Sequence, residues 1–150
     1  MSASSHTAPP LPMNSPHKNK TFTALLSFLL GMLGVHRFYL RGLGDRWGWL
    51  HAASLPATAA IMAADPGRPL LINALPLVIS MLVASIETFV IGLMPDEKWD
   101  ATYNPESGVQ SDSHWFVAAL MVANLFYGAT LLLTVIARAF DLWLTGGAYG

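Results

Sequence analysis

The chain has 150 residues, 53% hydrophobic and only 11% charged, with a mean hydropathy of +0.46 and a formal net charge of −1. Soluble domains carry about 25% charged residues, so the composition points to lipid as the solvent for much of the chain, and the near-zero net charge gives no electrostatic basis for a nucleic-acid partner. With no cysteine, disulfides, thiolate nucleophiles and cysteine-ligated metals are excluded.

Residues 1–20 are rich in Ser, Pro, Asn and His and poor in large apolar groups, which predicts a disordered polar tail ending in Lys18 and Lys20. No small-residue cleavage site follows the first apolar run, so a signal peptide is not expected. That run, residues 21–40, has about the ~20 residues that cross a bilayer. On a helical wheel Ala24, Ser27, Gly31, Gly34 and Phe38 share one stripe, and small residues so spaced let another backbone approach closely. Packing within the chain is the preferred reading of these glycines, over a dedicated dimer contact. The run ends in GMLGVHRFYLRG, residues 31–42. Within a turn it passes from groups that need lipid to His36, Arg37 and Arg41, which need water, phosphate or a counter-charge, with Phe38 and Tyr39 suited to the interfacial belt.

The second run, residues 47–64, is short and alanine-rich and contains His51 and Pro56; Asp65-Pro66-Gly67 then signals a turn. The third, residues 70–94, places Asn73, Pro76, Ser80, Ala84, Glu87 and Ile91 on one face. An acidic stretch follows over 94–113. It lacks the ligand spacing of a calcium loop and reads as solvated. The fourth run, residues 115–143, aligns Ala119, Ala123, Tyr127, Thr130, Thr134, Arg138 and Asp141. The predicted fold is all-α, a polytopic membrane bundle of about four transmembrane helices with both termini on one side. Its eight Lys and Arg then divide four and four, so the positive-inside rule gives only a weak preference for cytoplasmic termini, from Arg37 being drawn into the helix end.

The lysines before a helix that ends GMLGVHRFY, together with a later helix carrying Glu87 before the acidic Asp96, Glu97 and Asp100, resemble the TM2 (two-transmembrane) domain family over residues 18–104. The chain departs from the family pattern in the order Tyr39-Leu40-Arg41-Gly42 and in having Glu where the family has Asp. The resemblance implies an architecture rather than an activity: a TM2-like membrane region over 21–104, then the end of the acidic loop and a fourth helix over 105–150.

Glu87 is the sharpest single residue, since an ionisable group inside a membrane helix is functional or paired by default. If the first and third runs are parallel spans, Arg37 and Glu87 lie at similar height and form an ion pair; the competing readings are a proton- or cation-carrying site and a protonated Glu87 hydrogen-bonded within the core. His36 and His51 lack metal-ligand spacing. Gly42-Leu43-Gly44-Asp45 matches the string of intramembrane aspartyl proteases, but Asp45 has no second carboxylate to share a proton with, and no nucleophile-elbow string is present. The sequence thus predicts a non-enzymatic integral protein of a bilayer, by composition a bacterial inner membrane, that packs with itself or with partner membrane proteins. The alternative is a small transporter or channel subunit using Glu87. No catalytic, cofactor or metal site is expected, and the candidate residues are Gly31, Gly34, His36, Arg37, Phe38, Tyr39 and Glu87.

Overall fold

The computed structural model describes residues 16–148; the expected polar tail lies outside them as far as residue 15. All the regular structure among these residues is helical: α1 (Lys20–Leu30), a 3₁₀ turn (Gly31–Leu33), α2 (Val35–Arg41), α3 (Arg46–Ala64), α4 (Leu70–Asn73), α5 (Leu75–Leu93), α6 (Asp96–Tyr103) and α7 (Trp115–Thr145).

The first apolar run is not one continuous span. Asn19 starts α1 by accepting a hydrogen bond from the Phe22 amide, but the helix tightens at Gly31 and stops at Gly34, whose φ of +72° is left-handed. Only glycine adopts that conformation without strain, and a Cβ there would also stand 2.5 Å from the Gly48 carbonyl oxygen. Beyond Gly34 the chain turns back. The Phe22 and Tyr39 rings meet at 5.3 Å, the Asn19 amide donates to the Tyr39 hydroxyl at 3.2 Å, and the Lys18 ammonium reaches the Leu40 carbonyl. Both ends of 18–40 therefore lie together. The segment is a helical hairpin, and the wheel misses this because it assumes a helix that Gly34 ends.

Helix α5 is the centre of the bundle. α1 runs antiparallel to it, with Lys20 at Met94 and Asp96, Ser27 at Thr88, and Gly31 against Ala84. α2, on the return, runs parallel to it, with His36 and Arg37 at Glu87 and Leu40 in the same apolar cluster as Ile91. α3 descends from Asp45, which caps it by accepting from the Gly48 amide at 2.8 Å. It passes Ser80 at His51 and the Leu77 amide at Thr58. The third run is broken as well, into α4 and α5. Asn73 ties the preceding turn through Asp65 and Arg68 carbonyls, and Pro76 opens α5. α7 runs down the other side, with Met121 filling the slot left by Gly92 and Asn124 exchanging hydrogen bonds with Ser85. Its lower part reaches α4.

This order overturns the expectation that both termini share a side. Residues 16–20 and 94–113 sit at one end of the bundle and Thr145 at the other. It also corrects the face assigned to the fourth run: Val117, Leu120, Met121 and Asn124 are buried, whereas Ala119 and Ala123 face outwards and Tyr127 meets the Phe28 ring of α1 edge-on at 6.0 Å. Two glycines decide this rotation, Gly92 by admitting Met121 and Gly128 by admitting Ser85.

The start of the acidic stretch is not a solvated loop. It folds as α6, with Trp99 fully buried and its indole N–H donating to the Lys18 carbonyl at 2.9 Å. Asn104 holds the same residue by both its backbone groups, accepting from the Lys18 amide at 2.7 Å and donating to its carbonyl at 3.1 Å. Asp96 accepts from Lys20 at 2.8 Å and from the Ser113 amide and hydroxyl. Burial pushes its carboxyl up, but the Lys20 ammonium and Ser113 outweigh this and hold it below the usual value.

The polarity of the bundle is inverted relative to a water-soluble protein. Buried between helices are Ser27, His51, Ser54, Thr58, Ser80, Thr88 and Asn124; exposed on the outside are Leu50, Leu55, Ile79, Ile86, Val90, Phe126, Leu133 and Phe140. Helices surrounded by hydrocarbon associate in this way, through small residues and interhelical hydrogen bonds. α5 and α7 are each long and apolar enough to cross a membrane.

Candidate functional site

The hairpin, α3 and α5 converge on Glu87. One carboxylate oxygen accepts from Arg37, from Nε at 2.8 Å and from Nη2. The other faces Nε2 of His36 at 2.7 Å and Nε2 of His51 at 3.4 Å. Beyond His51, Nδ1 meets the Ser80 hydroxyl at 2.7 Å, and Ser80 donates to the Met32 carbonyl at 2.7 Å in the hairpin turn. Beyond Arg37, Nη1 lies 3.7 Å from Asp45, which Arg41 also approaches at 3.4 Å. Burial pushes the Asp45 carboxyl up; the Gly48 amide and the charges of Arg37 and Arg41 outweigh this and hold it below its usual value. One polar chain thus runs Arg41–Asp45–Arg37–Glu87–His51–Ser80–Met32, with His36 as a branch.

Each element has a local reason to deliver its group. Gly34 reverses the chain, so that α2 presents His36 inward, only 1% exposed, and Arg37 beside it. Gly48 removes the side chain that would block the approach of α2: a Cβ there would be 2.6 Å from the Phe38 ring. His51 lies one turn further along the same inward face of α3.

Of the seven candidate residues, the structure gathers His36, Arg37 and Glu87 into this cluster. Gly31 and Gly34 are the contact points that make it possible, on Ala84 and on Gly48. Phe38 stacks edge-on with Trp49 at 5.2 Å and Tyr39 with Phe22, so Tyr39 closes the hairpin and Phe38 seats it on α3. The Arg37–Glu87 contact arises by a route other than two parallel spans: α1 is antiparallel to α5, and the hairpin carries Arg37 back to Glu87. Three members of the chain were not identified from sequence as belonging together. Asp45 looked partnerless, His51 was paired only loosely with His36, and Ser80 was one of several small residues on a face. The signal that links them is the reversal at Gly34. No described group of three His, Cys, Asp or Glu residues is arranged to hold a metal ion.

Two cavities flank the cluster. One, of about 240 Å³, is lined by His36, Arg37, Leu40, Glu87, Ile91 and Tyr103. The other, of about 290 Å³, lies between α3 and α5 over His51, Ser54 and Ser80, with apolar walls that include Trp47, Leu50 and Ile79.

Residues 16–62 match the family model of the TM2 domain. No curated protein and no solved structure matches the chain. The match is narrower than the resemblance over 18–104. It spans the lead-in, the hairpin and most of α3, so Glu87 lies outside it, on the helix against which the hairpin packs. Together with the two apolar helices, the match marks a TM2-like membrane protein. The similarity to the TM2 domain is thus confined to residues 16–62, the hairpin and most of α3.

Proposed function

We propose that the chain is a non-enzymatic integral membrane protein in which the TM2 hairpin is docked by its polar chain onto three crossing helices, α3, α5 and α7, leaving the outer face of α7 for a partner membrane protein or a second copy. The observation that carries this reading is the saturation of Glu87. Arg37, His36 and His51 all turn N–H groups or ring nitrogens towards its two oxygens, as in a structural joint rather than a vacant binding site. α7 supports the second half of the reading. Its 31 residues are about 46 Å long at ~1.5 Å per residue, and Leu132, Leu133, Ile136, Phe140 and Leu144 all face away from the bundle.

Three crossings also give an orientation, in the bacterial inner membrane that the composition suggests. Lys18, Lys20, Arg37, Arg41, Arg46 and Lys98 gather at the amino-terminal end, against Arg68 and Arg138 at the other. By the positive-inside rule the former end faces the cytoplasm. A photo-crosslinking side chain at Leu133 or Phe140, activated in native membranes, should give one discrete protein adduct, self or partner. Adducts to lipid alone would count against an interaction role.

The second reading is a small transporter using Glu87, and the two cavities flanking the cluster favour it. On that reading Glu87→Gln keeps the fold but abolishes proton- or cation-driven flux in reconstituted vesicles.

A further inference from the structure

The hydroxyl of Ser80 has one proton to give and two neighbours. It donates to the Met32 carbonyl at 2.7 Å, an oxygen that can only accept, and it lies 2.7 Å from Nδ1 of His51. With its proton committed to Met32, Ser80 must accept from His51, so Nδ1 carries a proton. The other ring nitrogen faces a carboxylate oxygen of Glu87 at 3.4 Å. An ionised carboxylate is an acceptor only, so attraction there requires a proton on Nε2 too. All three contacts are favourable together only when His51 is an imidazolium. Neutral His51 forces a choice: a bare Nε2 lone pair against Glu87, or a Ser80 hydroxyl that turns from Met32 to Nδ1.

We propose that His51 is a proton-binding site whose state is wired, through the Ser80 hydroxyl, to the turn of the TM2 hairpin. Bound proton means that Ser80 anchors the Met32 carbonyl. When the proton leaves, His51 keeps Nε2–H towards Glu87, Ser80 donates to Nδ1, and the Met32 carbonyl loses its interhelical partner. The groups that bear on His51 are Glu87 on α5, His36 and Arg37 on α2 and, behind Arg37, Asp45 at the head of α3. Arg37 already compensates Glu87, so the extra proton is free to come and go without stranding the carboxylate. Ser80 and the Met32 carbonyl belong to the contact between α5 and the 3₁₀ turn, the point at which the hairpin reverses. The switch therefore acts on the position of the hairpin rather than on overall folding.

The test is imidazole ¹⁵N spectroscopy of the full chain in lipid nanodiscs with labelled histidine, the His51 signals being identified by their loss in His51→Gln, and the Met32 carbonyl ¹³C shift followed in parallel between pH 5 and 8. The proposal expects doubly protonated His51 to give way to the Nε2–H tautomer, and the Met32 carbonyl to move with the same midpoint. In Ser80→Ala the Met32 shift should no longer follow the titration. A His51 that titrates to the Nδ1–H tautomer, or stays in one state throughout, would overturn it. So would a Met32 carbonyl that ignores the titration, and this wild-type comparison decides even if Ser80→Ala does not fold.

Discussion

Glu87 lies inside an apolar helix, where an unpaired charge costs at least ~2.5–3.5 kcal/mol even on insertion scales. Arg37, His36 and His51 turn that liability into a joint. Because several groups share the load, truncating Arg37 does not leave Glu87 bare, and truncating Glu87 leaves Arg37 with Asp45. Arg37→Leu should therefore cost less than the ~3–5 kcal/mol typical of breaking an isolated buried pair. Glu87→Leu, which leaves Arg37 and both imidazoles facing a hydrocarbon side chain, should cost more than Arg37→Leu. A double-mutant cycle read from thermal unfolding in detergent should still give a coupling above ~0.5 kcal/mol, the limit for independent sites; a smaller value would remove Arg37 from the joint. The glycines separate as sharply. Gly34→Ala meets both the left-handed penalty of ~1–2 kcal/mol and the Gly48 carbonyl, whereas Leu29→Phe, on the outward face at 58% exposure, should change stability by less than ~0.5 kcal/mol. Equal losses in both would contradict the hairpin turn.

At the scale of elements, α6 fastens the hairpin from above. Asp96→Asn should leave the Lys20 ammonium with the Met94 carbonyl but no counter-charge and weaken the clasp by about 1.5–3 kcal/mol, the worth of hydrogen bonds to a charged group, read as faster amide exchange in residues 96–104. The pH dependence has a definite sign. The folded Asp96 carboxyl titrates below its ordinary 3.8, so its contribution is complete above that value and is lost as pH falls through the folded one. The clasp should hold at pH 5 and open in stronger acid. α6 also shows where the sequence was legible. The face of α5 at Ser80, Ala84 and Ile91 follows from helical spacing, because the hairpin and α3 pack on that stripe, whereas α7 packs beside it on Ser85 and Gly92. α6 does not follow from spacing: its composition is polar, and its buried side comes from Trp99 and the capping Asn104, which grip the Lys18 backbone across more than 80 residues of sequence. The outward rotation of α7 was equally hidden, since it depends on which glycine of a partner helix receives which side chain.

At the scale of the whole molecule, one residue changes the topology. Gly34 turns an expected span into a hairpin, moves the amino-terminal lead-in and the 105–113 loop to the same end, and leaves three long helices instead of four spans. It also converts an even division of Lys and Arg into six against two. The spacing of the first run is compatible with both arrangements, because its ~20 apolar residues suit one crossing or a hairpin dipping into the bilayer. Side-specific labelling tests the central claim most directly. Single cysteines at Pro16, Gln110 and Thr145, in this cysteine-free background, are exposed to an impermeant thiol reagent in sealed vesicles of known orientation. The proposed hairpin with three crossings predicts that Pro16 and Gln110 label from one side and Thr145 only from the opposite side. Labelling of Pro16 and Thr145 from one side, with Gln110 on the other, would contradict it.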